Sequence, residues 1–181
     1  MLSALRTALW SRTVHHFLEA RIETMPVPAA GGLRPAEPAD EDAVAAAFPH
    51  VPFRPRLATG DRCWLGWVDG RLAHQTWTST SRAFIPQVEY WAALAPDELY
   101  IYDCITLPEY RGRGLYPAAL RFASRAHLAE GRRRAGLGIL SGNTPSLHGA
   151  SRAGFRPAFT HTCTRRLGLV FQNRTPAPPP P

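Results

Sequence analysis

Residues 98–120 read ELYIYDCITLPEYRGRGLYPAAL, and the fold follows from how this stretch is read. Its first half, Glu98 to Leu107, is dense in Tyr and Ile and predicts a strand. From about Leu115 to Glu130 the apolar residues recur at helical spacing and predict a helix. Between the two, Gly112 and Gly114 let the backbone turn tightly and approach a ligand without a Cβ in the way. The amides around Arg111 to Tyr116 then point out of a helix N-terminus, a ready anion site. Pro117 falls in the first helical turn, where its missing N–H costs nothing. Arg111 and Arg113 add positive charge beside the turn. The arrangement suits a pyrophosphate. Taken alone, R-G-x-G describes a purely structural glycine turn equally well.

Working outward, Arg62 to Val68 and Arg71 to Trp77 flank Asp69-Gly70, the strongest short hairpin signal a sequence offers. Leu33-Arg-Pro35 reads as a short strand, and Pro38-Ala-Asp40 opens a helix with body Ala43 to Phe48. A strand at Ala135 to Ser141, a short helix near Pro145 to Ala153 and a last strand pair around Phe155 to Leu169 complete the pattern. The order β-α-β-β-β-α-β-α-β predicts a mixed sheet flanked by helices. Leu2, Leu5, Leu9, Thr13, Val14, Phe17 and Leu18 fall near helical spacing with Arg6, Arg12 and Arg21 interspersed. The expectation is an N-terminal amphipathic helix and linker over 1–32, docked on the domain or on a partner. An acid-poor, Arg-bearing leader is also what a mitochondrial presequence looks like. The domain itself is expected over 33–170, and 171–181, ending in Pro-Ala-Pro-Pro-Pro-Pro181, as a disordered proline-rich tail.

Composition narrows the classes. At 181 residues and 45% hydrophobic content the chain can build one real core, which excludes wholesale disorder. No apolar run is long enough to span a membrane. All 21 Lys+Arg residues are arginine, against 14 Asp+Glu, for a net charge of +7. A chain without lysine has no Schiff-base or P-loop lysine. Its guanidinium groups never titrate and grip phosphate bidentately. Cys63, Cys104 and Cys163 are too few and too scattered for a metal site or a disulfide framework, which points to a reducing, cytoplasmic compartment.

Taken together, the run from Tyr100 to Leu120 and the later N143-T-P-S-L-H-G-A-S-R-A-G-F155 resemble the GNAT (Gcn5-related N-acetyltransferase) superfamily. The family's coenzyme A motif, Gln/Arg-x-x-Gly-x-Gly/Ala, reads here Arg111-Gly-Arg-Gly114-Leu-Tyr116. Its later motif, an Asn followed by a short helix ending in Gly-Phe, matches Asn143 and Gly154-Phe155. The resemblance spans about 33–168. It implies an α/β fold with a mixed, mostly antiparallel central sheet and flanking helices. It implies that Cys104, Ile105 and Thr106 border an acyl-thioester, with a main-chain N–H polarising its carbonyl. Arg111, Gly112, Arg113, Gly114, Leu115, Tyr116 and Pro117 would hold the pyrophosphate, and Asn143 the pantetheine arm. Asp103 falls where many relatives carry a strand-four glutamate that serves as general base. Two positions depart from the family. Tyr116 replaces a small residue, and Ala150 stands where many relatives place the tyrosine that protonates the departing thiolate. His148 and Tyr116 are the candidates to replace it.

The reading that follows is an N-acyltransferase that uses acetyl-CoA, or another acyl-CoA, as co-substrate and no metal. It passes the acyl group directly to a primary amine of a small molecule or peptide. An amine protonated at neutral pH needs a base, and Asp103 is the one acid inside its strand, where alternation puts it on a face with Leu99, Ile101 and Ile105. A structural Asp bonded to main chain or to an arginine is the competing account. Trp64, Trp67, Trp77, Tyr90 and Trp91 read either as core or as the wall of an acceptor cleft, and His74 as a base or a hydrogen-bonded bystander. No acid follows Glu130. That basic half gives two alternatives: an acyl-carrier-protein donor, or a non-catalytic module binding protein or RNA through its N-terminal helix or the arginine face formed by Arg132 to Arg134, Arg152, Arg156, Arg165, Arg166 and Arg174. A homodimer is a further partner expectation, nucleic acid a weak one and a membrane none.

Overall fold

The computed structural model describes residues 10–27, 31–85 and 90–177. Eight strands form one sheet: β1 (Trp10–Arg21), β2 (Leu33–Pro35), β3 (Arg62–Val68), β4 (Arg71–Ser79), β7 (Glu98–Thr106), β8 (Arg134–Leu140), β9 (Arg156–Arg166) and β10 (Leu169–Pro176). β5 (Arg82–Ile85) and β6 (Tyr90–Ala93) pair separately. The helices are α1 (Glu41–Ala47), α2 (Phe53–Ala58), α3 (Leu115–Ala126) and α4 (Thr144–Ala153). The order across the sheet is β10-β9-β1-β8-β7-β4-β3-β2. Every pair is antiparallel except β7 with β8. The Asp69-Gly70 hairpin forms as its residues dictate, both in the left-handed region that such a two-residue turn requires.

The N-terminus corrects the expected helical extension. Residues 10–21 form a strand in the interior of the sheet, with β8 on one side and β9 on the other. Two open strand edges offer this segment a ladder on both sides, and its β-branched and aromatic residues Trp10, Thr13, Val14 and Phe17 suit a pleated surface better than a helix. Leu2, Leu5, Arg6 and Leu9 lie outside the described residues. At the other end, β10 takes in most of the stretch expected as a disordered tail, although every residue of this edge strand is exposed. Residues 178–181 lie outside the described set.

Two layers cover the sheet. On one face α3 and α4 pack over Leu18, Ala20, Leu99, Ile101, Ala135, Leu137 and Ile139, with Leu120, Ala150, Ala153 and Phe155 sealing the core. On the other, α1 and α2 bring Val44, Phe48 and Phe53 onto Cys63, Leu65, Leu72 and Trp77. Trp64 and Trp77 are core residues rather than cleft walls: Trp64 meets Phe122 and His127 edge-on, and Trp77 meets Phe53. Trp91 is exposed beneath Arg82, and Trp67 carries Arg34 over its ring.

One irregularity positions everything that follows. Opposite Thr76 the β4–β7 register slips, and Asp103 takes a left-handed φ of 45°. This is a β-bulge, which re-aims side chains in the middle of a sheet. Before it, Leu99 and Ile101 face α3 and α4. After it, Cys104 and Thr106 do, next to Thr76 and His74. The simple alternation that groups Asp103 and Ile105 with Leu99 and Ile101 therefore fails at Asp103.

Candidate active site

The parallel β7–β8 ladder runs only from Glu98/Arg134 to Ile101/Leu137. Beyond it the strands part, and two cavities meet in the gap. The first, about 570 Å³, lies on the α3–α4 face and is lined by the end of β7, the glycine turn and the start of α4. The second, about 460 Å³, is lined by His15, Arg56, Ile85, Tyr100, Tyr102, Asp103 and Leu140, together with residues from the first face. Cys104, Tyr116, Asn143 and Ser146 line both. The two form a cleft that passes between the splayed strands from one face of the sheet to the other. A smaller cavity of about 140 Å³ around Phe17, Tyr90 and Phe159 lies apart from the glycine turn.

In the first cavity the glycine turn presents its backbone. Gly114 caps α3 in the left-handed conformation with φ 75°, and no side chain caps the helix. The first intrahelical bond is Ala118 N–H to Gly114 C=O at 3.2 Å, so the amides of the preceding turn have no helical acceptor. Gly112 has φ 78°. A Cβ on either glycine would meet nothing within 4 Å, so the dihedral angle and not crowding requires glycine there. Open amides, a positive helix end and Arg111 at the rim fit a diphosphate. Arg111 donates from Nε to Thr106 C=O at 3.2 Å, and the guanidinium of Arg113 lies over the Tyr110 ring. Of the residues expected to hold the coenzyme, Cys104, Ile105, Thr106, Arg111, Gly112, Gly114, Leu115, Tyr116, Pro117 and Asn143 line this cavity; Arg113 does not. Asn143 caps α4, its Oδ1 accepting from Ser146 N–H at 3.3 Å.

At the junction, Ala150 is fully buried in the core and offers no chemistry. The neighbouring Gly149 leaves the room in which Tyr116 lies: a Cβ there would sit 2.6 Å from Tyr116 Cδ1. A phenol from the first turn of α3 thus packs against the helix that carries Ala150. Burial pushes the Tyr116 hydroxyl well above the usual phenol range, so it keeps its proton. Beneath it, His74 is fully enclosed, Nδ1 2.7 Å from Thr106 Oγ1 and Nε2 2.7 Å from Thr76 Oγ1. Burial lowers its pKa to about 4, which leaves a neutral ring with one donor and one acceptor, and it bridges both strands beside the bulge. Burial also pushes the Cys104 thiol up to about 12, which removes it as a nucleophile at neutral pH. His148 is exposed on α4 and lines the first cavity.

On the far face, Asp103 Oδ2 accepts from Arg56 Nη2 at 2.5 Å. That guanidinium lies 5.1 Å from the Trp77 ring and 5.0 Å from the Tyr102 ring. The Tyr102 hydroxyl donates to Asp61. Burial, with help from His161 and His16, lowers His15 to about 4. His15, Arg56, Tyr100 and Tyr102 were not singled out from sequence; only the Tyr-x-Tyr step before Asp103 was there to find.

The arginine triplet is largely committed within the fold. Arg133 pairs with Glu23, Arg134 with Asp97 and Glu98, and Arg132 donates to the carbonyls of Pro96 and Glu98. Among the described residues no group of three or more His, Cys, Asp or Glu could hold a metal ion. No helix among them is long and apolar enough to cross a membrane.

Comparison with known proteins agrees with this geometry. The profile of the Acetyltransferase (GNAT) family matches residues 33–155. The chain belongs to that family and is a GNAT-type N-acetyltransferase. No curated protein matches it. Among solved structures it is similar to a GNAT-family structure from Novosphingobium aromaticivorans at 20% identity and a TM-score of 0.57, covering 98% of this chain and 81% of that one. A GCN5-related N-acetyltransferase from Kribbella flavida gives 18% identity and a TM-score of 0.60, over 98% of this chain and 64% of that chain. An aminoglycoside N-acetyltransferase in complex with CoA gives 16% and 0.52, over 68% and 90%. Against a fungal multidomain protein with a glucosamine N-acetyltransferase region, the chain spans only 22% of the length.

Proposed function

We propose that this protein transfers the acetyl group of acetyl-CoA directly to the primary amine of a small molecule or peptide, in a ternary complex. The observation that carries the reading is the cleft through the β7–β8 splay, with an anion-binding helix end on one face and Asp103 on the other. The amides at Gly112 to Tyr116 and Arg111 hold the diphosphate, and Asn143 and Ser146 line the path of the pantetheine arm. The main chain that follows the bulge at Asp103 turns an N–H toward the thioester carbonyl, where it stabilises the developing oxyanion.

The amine nitrogen attacks the carbonyl carbon as the C–S bond breaks. Asp103 takes the proton that the nitrogen loses, directly or through a water. Arg56 engages Oδ2 and orients the carboxylate, and no hydrogen bond to Oδ1 is made among the described residues. The Tyr116 hydroxyl donates a hydrogen bond to the departing sulfur, which leaves as a thiolate and takes up a proton to become the thiol. Direct transfer is favoured over an acyl-enzyme because Cys104 holds its proton. A cytoplasmic setting fits three free cysteines, two of them buried. The test is release of free thiol from acetyl-CoA on adding a primary amine, with acetylated amine formed in equal amount. Coenzyme binding without any amine-dependent thiol release would refute transfer.

A further inference from the structure

The acceptor half of the cleft has a charge count that restricts what enters it. Among its described lining residues there is one carboxylate, Asp103, and one guanidinium, Arg56, and the two are already paired. His15 carries no charge at neutral pH, since burial holds its pKa near 4. The cavity is also lined by Ile85, Tyr100, Tyr102 and Leu140, and toward the donor side by Asn143 and Ser146. Arg56 cannot swing away easily, because its guanidinium lies over the rings of Trp77 and Tyr102, is ion-paired with Asp103 and has its Nη1 buried. Asp61 stands behind Tyr102, tied to its hydroxyl. The pocket therefore offers a single ammonium one carboxylate, set in a wall that is aromatic and aliphatic at Ile85, Tyr100, Tyr102 and Leu140. A second or third cation would meet a fixed guanidinium within a protein of net charge +7.

From this we infer that the acceptor is a small monoamine on an uncharged aromatic or branched aliphatic body, and that Arg56 excludes polycations such as polyamines and aminoglycosides. The inference rests on the transfer reading above. It does not extend to this chain the substrate named for the structurally similar aminoglycoside N-acetyltransferase. That difference is physically reasonable, because a ligand with several ammonium groups needs several carboxylates, and the described residues of this cavity wall supply one.

The experiment compares 2-phenylethylamine, isoamylamine, spermidine and kanamycin as acceptors at fixed acetyl-CoA, with thermal stabilisation by acetyl-CoA measured in parallel. The two monoamines are expected to give kcat/KM at least ~10-fold above spermidine and kanamycin. Arg56→Met keeps the stem that packs on the rings and removes the charge, and should narrow the gap between spermidine and 2-phenylethylamine by ~10-fold while leaving stabilisation by acetyl-CoA intact. Preference of the wild-type protein for spermidine or kanamycin overturns the inference and leaves the transfer reading standing. An unchanged gap in a folded, coenzyme-binding Arg56→Met protein overturns the role of Arg56. Turnover of no amine at all, with coenzyme bound, overturns the transfer reading and the inference together.

Discussion

The proposed donor half of the cleft is built from consecutive residues, Arg111 to Pro117, and presents its backbone. The acceptor half draws His15 from β1, Arg56 from α2, Tyr100 and Asp103 from β7 and Leu140 from β8, and works through side chains. The first depends on two dihedral angles, at Gly112 and Gly114. The second depends on the order of the strands, on the bulge at Asp103 and on where β7 and β8 part. A backbone site of this kind tolerates changes of side chain around it but not a charge placed inside it. A side-chain site assembled from distant segments has the opposite sensitivities.

The strongest way to break the contrast is to put a carboxylate into the donor half. Asp accepts a left-handed φ better than most residues, so Gly114→Asp should fold and lose the coenzyme. At a hundred times Kd a ligand adds about 2.7 kcal/mol to stability, or roughly 5–10 °C in Tm for a domain of this size. That shift should vanish in the variant, and a preserved shift would place the coenzyme elsewhere. Next in size is Asp103→Asn, which keeps the volume and suits the same φ but cannot take a proton. Amine turnover should fall ~10²-fold in kcat/KM with coenzyme affinity unchanged. Full activity of this variant would return Asp103 to the role of a structural partner for Arg56.

The junction gives smaller effects. Tyr116→Phe should lower kcat ~10-fold and leave KM for acetyl-CoA alone, as loss of one hydrogen bond to a charged sulfur predicts. Gly149→Ala, whose Cβ would overlap the Tyr116 ring, should reproduce part of that loss with the hydroxyl still present. If Gly149→Ala matches wild type while Tyr116→Phe is slow, ring position is not what matters. A separate effect, on the fold and not on the cleft, is stability against pH. His15 and His74 both have folded pKa values near 4, below the ordinary value of 6.5. Below pH 6.5 the unfolded chain takes up protons that the folded one refuses. Stability is then lost as pH falls from about 6.5 to 4 and levels off beneath that. Urea midpoints across this range should show the acid limb, and His74→Gln should flatten it.

These contrasts also explain what could be read in advance. The glycine turn, the Asp69-Gly70 hairpin and both long helices are local: their signals lie inside the segments they describe. The placement of β1 is not local. Phe17 and Leu18 fit a helical stripe as well as a strand, and only the two open edges offered by β8 and β9, more than a hundred residues further on, decide between them. Asp103 shows the same limit at the scale of one residue. Nothing in Tyr-Asp-Cys announces a left-handed φ, and without that bulge the alternation assigns Asp103, Cys104 and Thr106 to the wrong faces. Arg56 and Tyr102 stack because α2 folds back over β7, which no spacing in either segment reveals.

The interior position of β1 has a consequence for the timing of folding. During synthesis residues 10–21 leave the ribosome long before either of their neighbours exists. Their two rows of amides and carbonyls have no ladder partners until residues 134–140 and then 156–166 have been added. The nascent chain must carry an unpaired, aromatic-bearing strand through the synthesis of more than a hundred further residues, with the aggregation exposure that such a strand brings. The sheet closes only when β1 is captured between β8 and β9, a pairing across more than a hundred residues whose loop-closure cost makes it a late event in folding.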